Sequence, residues 1–420
     1  MAEELLVERL DNRGSGLART TAGWVRIAGA LPGERVKAEI SGQPGRAELV
    51  EVVDASPRRA QPFCPLFGQC GGCVLQHFAA EDYRAWKRGL VIDALSRAGL
   101  ETEVAPLVDA HGAGRRRVTF HARFQPRAAV GFMAAGSHTL VEVAACAVLS
   151  PGLAGAADAA RALAGCFAAT PKPMDIVVLA STAGLDVDLR GCGELTEPVR
   201  AALIERGRAL GLARLSNHGE VVVEYRPPVV DMGGTAVVPP PGAFLQATAA
   251  GEAALAELVL EATRGARRVA DLFSGCGPFA LRLAREADVH AVDSGDAMLR
   301  ALAAAARAAA GSRPVSVERR DLYRRPLLVA ELAAREAVVL DPPRAGAEAQ
   351  CQQLAGADVP VVAYVSCDET SFARDAALLV AGGYRLESVT PVDQFKYTAH
   401  VELVGRFRKP ARGKRRRGRP

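Results

Sequence analysis

The stretch "RRVADLFSGCGPFA", residues 267–280, reads as a strand, a glycine turn and the start of a helix. Around it, residues 243–405 alternate apolar runs with helix-like segments, and the runs are "VHAVD" (289–293), "VSVERRD" (315–321), "AVVLDPP" (337–343), "VVAYVSC" (361–367), "YRLESVTPVD" (384–393) and "HVELVGRF" (400–407). Strands separated by helices predict an α/β fold with a Rossmann-like, doubly wound sheet, closed by an antiparallel hairpin. Ligands of such sheets bind outside the carboxyl ends of the strands.

Several polar residues follow those strands directly. Gly275 and Gly277 would let the backbone approach a ligand at a helix N-terminus, although the bare pattern G-x-G-x-x-A fits both dinucleotides and S-adenosylmethionine. Asp293 ends the next strand, where a carboxylate can accept hydrogen bonds from ribose hydroxyls. Asp321 ends the third strand, and it is predicted either to contact an adenine or to cap a helix.

Three residues further along carry a possible reaction. Asp341 begins "DPP", a rigid strand exit, because proline fixes φ and restricts the residue before it. Cys367 directly follows the run "VVAYVS", and Glu402 lies in "TAHVELV". A thiolate that adds to C6 of uracil makes C5 nucleophilic toward a methyl donor, and a base must then remove the C5 proton. One cysteine, one base and one methyl donor on a shared edge would suffice for this reaction.

The remainder of the chain divides into three parts. Residues 1–55 alternate apolar and polar positions between glycines, which predicts a small β-barrel that either binds RNA or serves as a scaffold. Residues 56–240 mix helices and strands, as in an α+β domain, with Arg115, Arg116 and Arg117 at a strand start as an RNA-facing edge or a solvated face. Residues 241–405 form the α/β domain described above, and 406–420 form a basic tail predicted to be disordered.

Cysteines cluster near the start of the second part. Cys64, Cys70 and Cys73 form C-x5-C-x2-C with two glycines between the last two, and three thiolates need a fourth ligand to close a zinc or iron–sulfur site. Cys146 is the first candidate for that ligand, with Cys166 and Cys192 as alternatives. Spacing alone leaves zinc and cluster both open, and buried cysteines without a ligand are the plain alternative.

Composition indicates a folded protein of the cytoplasm. The start, "MAEELLVERL", has no apolar core of a signal peptide, and no apolar run is long enough to span a membrane. Nine cysteines without an export signal are typical of a reducing compartment. The last fifteen residues hold nine Lys or Arg and no acid, which leaves −4 for the remaining residues out of a total of +5. Such a tail favours nucleic acid as the partner.

Together these motifs resemble the bacterial RNA 5-methyluridine methyltransferases, specifically their iron–sulfur-containing 23S ribosomal-RNA branch, along nearly the whole chain. "GALPGE" (29–34) resembles their OB-like TRAM domain, an RNA-binding barrel. The resemblance implies a monomer in the cytoplasm that methylates uridine C5 with S-adenosylmethionine, through Cys367 as nucleophile and Glu402 as base. It implies Gln246, Phe273, Asp293, Asp321 and Asp341 as cofactor contacts, and Cys64, Cys70, Cys73 and Cys146 as ligands of a [4Fe–4S] cluster rather than zinc.

Some positions depart from the family pattern. Asp368 stands for an asparagine and Ser371 for a threonine after the nucleophile, Thr248 for an asparagine in "FLQAT", Pro278 for another asparagine, and Lys396 for a proline. None of these changes removes a reacting group. They leave open which nucleotide is the target. Transfer RNA as substrate, cytosine C5 as target, and an inactive RNA-binding assembly factor are the alternatives.

Overall fold

The computed structural model describes residues 2–40, 45–124, 127–169 and 172–410. These residues form a closed barrel, a seven-stranded sheet, an eight-stranded sheet and a two-stranded ribbon, with helices packed on the larger sheets. Within these ranges no helix is both long enough and apolar enough to cross a bilayer.

The barrel confirms the prediction for the N-terminal part. Its strands are β1 Ala2–Leu10, β2 Gly16–Thr20, β3 Gly23–Ile27, β4 Arg35–Ile40 and β5 Arg46–Asp54. They close in the order β1-β2-β3-β5-β4. Alternate residues point inward, so that Val36 and Ala38 of β4 are fully buried while their neighbours are exposed. A Cβ at Gly16 would lie 2.8 Å from the Ala30 carbonyl oxygen, so this position needs glycine for the strands to close.

Helix α1 Ala80–Arg97 and the short strand β6 Val108–Asp109 come next, and both belong to the C-terminal sheet. β6 pairs in parallel with strand Arg385–Asp393, and Val91 and Leu95 of α1 pack in the core beside that strand. The middle of the chain therefore supplies an edge strand and a covering helix to the sheet that carries the strand-end residues.

A second sheet follows, built from β7 Arg117–Phe124, β8 Ala128–Met133, β9 Leu140–Glu142, β10 Met174–Ser181, β11 Gly184–Arg190, β12 Arg214–Asn217 and β13 Glu220–Glu224. Its order is β13-β12-β11-β10-β7-β8-β9. Helices α2 Ala156–Gly165 and α3 Glu197–Ala209 pack with it around a common core that includes Phe120, Leu163 and Leu203. A ribbon of β14 Val230–Asp231 and β15 Ala236–Val237 precedes the last part.

The C-terminal sheet confirms the predicted doubly wound α/β fold. Its further strands are β16 Arg268–Leu272, β17 Asp288–Asp293, β18 Val315–Arg319, β19 Ala337–Leu340, β20 Val361–Ser366, β21 Arg385–Asp393 and β22 Glu402–Arg408, and its helices are α4 Ala249–Ala262, α5 Ala280–Leu283, α6 Asp296–Ala308, α7 Val329–Leu332, α8 Glu348–Gly356 and α9 Glu369–Ala381. The order is β18-β17-β16-β19-β20-β22-β21-β6. The first five strands in this order are parallel. The strand order reverses between β16 and β19, and sheets of this kind bind ligands at such a point.

The predicted tail begins too early in the sequence. β22 continues to Arg408, since Phe407 is fully buried against Phe372 and both Arg406 and Arg408 pair with Glu387. Arginines on the exposed face of an edge hairpin look like tail residues when only their charge is considered. The prediction of disorder for 406–408 is therefore wrong, and residues 411–420 lie outside the described residues.

Candidate active site

A cavity of about 460 Å³ opens at the carboxyl ends of β16, β17, β19 and β20. It brings together all seven residues predicted for cofactor and catalysis: Gln246, Phe273, Asp293, Asp321, Asp341, Cys367 and Glu402. Phe244, Met298 and Tyr323 add apolar wall. The cavity therefore combines an apolar slot with a group of carboxylates and two thiols, those of Cys276 and Cys367.

The glycine turn after β16 is held by a carboxylate from β17. Asp293 accepts hydrogen bonds from the backbone N–H of Gly275 (2.9 Å) and of Gly295 (2.7 Å), one on each oxygen. Phe273 has φ of 63°, a left-handed conformation that is uncommon outside glycine and that marks strain at functional sites. Each Asp293 oxygen keeps a lone pair that can accept a hydrogen bond from a hydroxyl group.

Asp321 lies in a turn after β18 and not at the start of a helix, and its contact with an adenine stays a prediction. It lines the cavity, and its Oδ1 accepts hydrogen bonds from the backbone N–H of Tyr323 (3.0 Å) and Arg324 (3.3 Å). The turn thereby places the Tyr323 ring 5.6 Å from that of Phe273. Two aromatic rings at the end of the slot suit a planar heterocycle.

Cys367 follows the last residue of β20 and precedes α9. Burial raises the pKa of its thiol to about 12, and the nearby Glu402 and Asp341 carboxylates act in the same direction, while Arg344 opposes them. These groups together favour the neutral thiol. A cation beside it would favour the thiolate that nucleophilic attack requires.

Glu402 is the first residue of β22, and its side chain is 2% exposed. Burial raises its pKa to about 7, against a hydrogen bond from Gln394 and the charge of Lys87. Burial also raises the pKa of Asp341, and the neighbouring Glu402 adds to that rise. A carboxyl group that titrates near neutrality is suited to accept a proton.

Gln394 is a site residue that the sequence analysis missed. Its amide nitrogen donates to Gln246 Oε1 (2.6 Å) and to Glu402 Oε1 (3.1 Å), while Gln246 donates to Asp341 (3.2 Å). The only sequence signal for it was its place in "DQFKYTAH", eight residues before Glu402.

The loop before Glu402 is anchored by helix α1. Lys87 is fully buried and donates to an Asp393 carboxylate oxygen and to the carbonyls of Phe395 (3.2 Å) and His400 (2.6 Å). Tyr83 donates to the other Asp393 oxygen (2.7 Å). These contacts join residues about 300 positions apart, so the sequence carried no local sign of them.

Most of the departures from the family pattern have local explanations. Thr248 caps α4, accepting from the Gly251 N–H at 2.8 Å, and Asp368 caps α9, accepting from the Ser371 N–H at 2.9 Å. Threonine and aspartate are good N-caps, so helix starts are preserved. Lys396 pairs with Asp109 at 3.0 Å.

The four cysteines of the sequence prediction line a second cavity, of about 660 Å³, together with Arg115. The Gly72 N–H donates to Cys70 Sγ (3.4 Å), and a Cβ at Gly71 would lie 2.9 Å from the Met133 carbonyl oxygen, so glycines let this loop fold closely. Cys166 and Cys192 lie elsewhere, half-buried against the core of the seven-stranded sheet. Among the described residues no group of three or more His, Cys, Asp or Glu is arranged to hold a metal ion. The predicted cluster or zinc is thus not confirmed.

A third, open cleft shares lining residues with both cavities. It is lined by Asn12 and Arg13 of the barrel, by Gly72 of the cysteine loop, and by residues beside Cys367 such as Arg344. Arg115 lines this cleft as well as the cysteine cavity, and its guanidinium lies 5.7 Å from the Phe395 ring. Three arginines and an aromatic ring line this cleft together with the carboxylates of Asp368 and Glu369, and Arg344 lies 3.7 Å from Asp368. Arg13 and Arg115 are then the cations of the cleft that suit a polyanion.

Comparisons with known proteins agree with this architecture. A family model described as "tRNA (Uracil-5-)-methyltransferase" matches residues 316–408. An uncharacterized RNA methyltransferase of Rhizobium meliloti (strain 1021) is 44% identical, over 96% of this chain and 98% of its own. The 23S rRNA (uracil(1939)-C(5))-methyltransferase RlmD of Chromohalobacter salexigens is 36% identical, over 96% of this chain and 88% of its own.

A solved structure gives the same fold. The tRNA (uracil-54, C5)-methyltransferase of Pyrococcus abyssi, in complex with S-adenosyl-L-homocysteine, matches with a TM-score of 0.76 at 21% identity, covering 96% of this chain and 99% of its own. This likeness shows the fold alone, whereas the relatives at 36% and 44% identity show the family. The chain therefore belongs to the family of S-adenosylmethionine-dependent RNA uracil-C5 methyltransferases.

Proposed function

We propose that the protein methylates C5 of a uridine in 23S ribosomal RNA. The observation that carries the proposal is the meeting of Cys367, Glu402 and Asp341 in one cavity. The identity of 36% to a 23S rRNA enzyme along almost the whole chain supports ribosomal RNA over transfer RNA, since the likeness to the transfer-RNA enzyme is one of fold.

In the proposed mechanism, the Cys367 thiolate adds to C6 of the uracil and makes C5 nucleophilic. S-adenosylmethionine, when bound, supplies the electrophilic methyl group that C5 takes, and S-adenosylhomocysteine is the leaving group. Glu402 then removes the C5 proton, and elimination of the Cys367 sulfur restores the ring. The proton ends on the Glu402 carboxylate, and the electron pair of the broken C6–S bond stays on the sulfur as the thiolate.

The proposed cofactor contacts fit the chemistry of the donor. The carboxylate of Asp293 can accept ribose hydroxyls, Asp321 and the rings of Phe273 and Tyr323 lie where an adenine would fit, and Gln246 and Asp341 lie beside Cys367 in the same cavity. A sulfonium near Asp341 would be held by opposite charge, and its charge would lower the pKa of Cys367.

We further propose that Cys64, Cys70, Cys73 and Cys146 bind a [4Fe–4S] cluster. Their support is the shared cavity and the N–H donor of Gly72 on the Cys70 sulfur, a contact that stabilises a thiolate. In such a cluster each cysteine binds a different iron, so the four sulfurs need not meet at one point as they do around a single zinc ion.

Substitution of Cys73 or Cys146 by Ser is expected to remove the cluster. Protein purified without oxygen should be brown and should contain about four iron and four sulfide per chain, whereas either variant should be colourless and less soluble. The matched control is Cys192→Ser, which alters a cysteine outside the cavity and should leave iron content unchanged. Colourless wild-type protein with one tightly held zinc would contradict the cluster assignment.

The proposed substrate is tested by mapping 5-methyluridine. We expect one uridine of 23S rRNA to lose its methyl group in a deletion strain and to regain it when the gene is restored. Purified protein should methylate 23S rRNA from that strain and not its transfer RNA. Methylation of transfer RNA or of cytosine would contradict the proposal. If neither RNA were methylated, the result would favour a non-catalytic RNA-binding factor.

A further inference from the structure

We propose that Gln394 is a positioning residue, whose single amide group fixes the orientation of both Glu402 and Gln246. The inference rests on the proposed role of Glu402 as the base. Gln394 is 0% exposed and its side chain sits between the two residues, so no solvent competes for its hydrogen bonds.

One backbone group determines how the Gln394 amide is oriented. The Thr248 N–H can only donate, and it faces Gln394 Oε1 at 3.4 Å. With the amide oxygen turned toward Thr248, the amide nitrogen faces Gln246 Oε1 at 2.6 Å and Glu402 Oε1 at 3.1 Å. Both of its hydrogens are therefore used.

The orientation passes on to the next residue. Because Gln246 Oε1 accepts from Gln394, the Gln246 nitrogen points the other way and donates to Asp341 Oδ2 at 3.2 Å. One backbone N–H thereby sets a directed series of hydrogen bonds that ends on two carboxylates of the cavity.

Helix α4 is shaped to admit Gln394. A Cβ at Gly251 would lie 2.7 Å from both Cβ and Oε1 of Gln394, closer than real side chains approach. Glycine within a helix costs stability relative to alanine, so its presence here is consistent with a requirement for space.

The hydrogen bond to Glu402 affects how that residue titrates. The other groups facing Glu402 are the carboxylate of Asp341, the thiol of Cys367 and the ammonium of Lys87. Burial disfavours a charged Glu402, and the hydrogen bond from Gln394 and the charge of Lys87 oppose that effect, so the donor from Gln394 helps to keep Glu402 ionised near neutral pH.

Gln394→Met removes the amide while keeping a similar length and volume. We expect the pH limb, the pH range over which the rate of adduct breakdown rises, to move upward by about one to two pH units. A shift of this size corresponds to the loss of a hydrogen bond to a charged group. At pH 7 methylated RNA should remain joined to protein, and raising the pH should release it at the wild-type rate. Gly251→Ala should cause a shift in the same direction by displacing Gln394.

Lys396→Met is the matched control, since Lys396 lies on the same loop and pairs with Asp109 instead. It should leave the pH dependence of adduct breakdown unchanged. If Gln394→Met acted only by loosening the loop, both variants would slow adduct breakdown to a similar extent, and raising the pH would not restore the rate. An unchanged limb in folded Gln394→Met would overturn the proposal, and if that variant does not fold, an unchanged limb in Gly251→Ala would do so.

Infrared difference spectra separate this proposal from the proposed function, because they need no RNA. The protonation midpoint of the Glu402 carboxyl, identified by its loss in Glu402→Gln, should rise in Gln394→Met. If wild type methylates no uridine but the midpoint moves, the proposed function fails and the positioning role stands. If methylation occurs and the midpoint stays, the positioning role fails.

Discussion

Cys367→Ala is expected to abolish methyl transfer, with a loss of at least about 10⁴-fold, the scale seen when a covalent nucleophile is removed. Uracil C5 is a poor nucleophile until a group adds to C6. Among the described residues one other thiol lines the cavity, that of Cys276, which is buried within the glycine turn. Incorporation of labelled methyl groups into RNA measures the loss.

The same variant should form no covalent complex. RNA that carries 5-fluorouridine at the target should trap wild-type protein on denaturing gels, because fluorine cannot leave C5 as a cation. Cys367→Ala should still bind RNA and S-adenosylmethionine but give no trapped band. Cys166→Ala, at a half-buried cysteine away from the cavity, is the control and should be trapped like wild type. Methyl transfer by Cys367→Ala would contradict the mechanism.

The positions of the three residues proposed for the reaction could be predicted because they follow from strand direction. Asp341 and Cys367 come directly after parallel strands, whose carboxyl ends share one edge. Glu402 begins an antiparallel strand, and the pairing of Ser366 with Leu403 places that beginning at the same edge. Local patterns of apolar residues were sufficient for these three residues.

The support around these residues could not be predicted in the same way. Lys87 and Asp393 meet across 306 positions, and Gln394 and Gln246 across 148. Such contacts depend on how α1 and α4 pack on the sheet, and helix periodicity does not state which sheet a helix covers. For the same reason, α1 was assigned with the central residues although it packs beside β21.

Charge patterns were informative about partners and less informative about boundaries. The arginines at 406 and 408 look like part of the basic tail, yet the strand that holds them is specified by Val404 and Phe407, which pack into the cores on opposite faces of the sheet. Apolar residues were the better guide there, because burial of side chains stabilises a strand more than exposed charge destabilises it.

Glu402→Gln should give the opposite defect to Cys367→Ala. The amide cannot accept a proton, so removal of the C5 proton should slow by about 10²–10⁴-fold. Addition should not slow, because the charge of Glu402 raises the pKa of Cys367 and its loss makes the thiol more acidic. One methyl group per protein should therefore transfer, after which turnover should stop with methylated RNA bound through Cys367.

Unmodified RNA is enough to detect this state. Incubation of Glu402→Gln with S-adenosylmethionine and RNA should yield a band that resists denaturation, and mass spectrometry should find the methylated nucleotide on the Cys367 peptide. The double variant with Cys367→Ala should show no band. In wild type, the release step should accelerate as pH rises through about 7, where Glu402 loses its proton, and the Glu402→Gln variant should lack this dependence. Normal turnover by Glu402→Gln would mean that another group is the base. Asp341 is then the candidate, because it lines the same cavity and its pKa is also raised above the usual range.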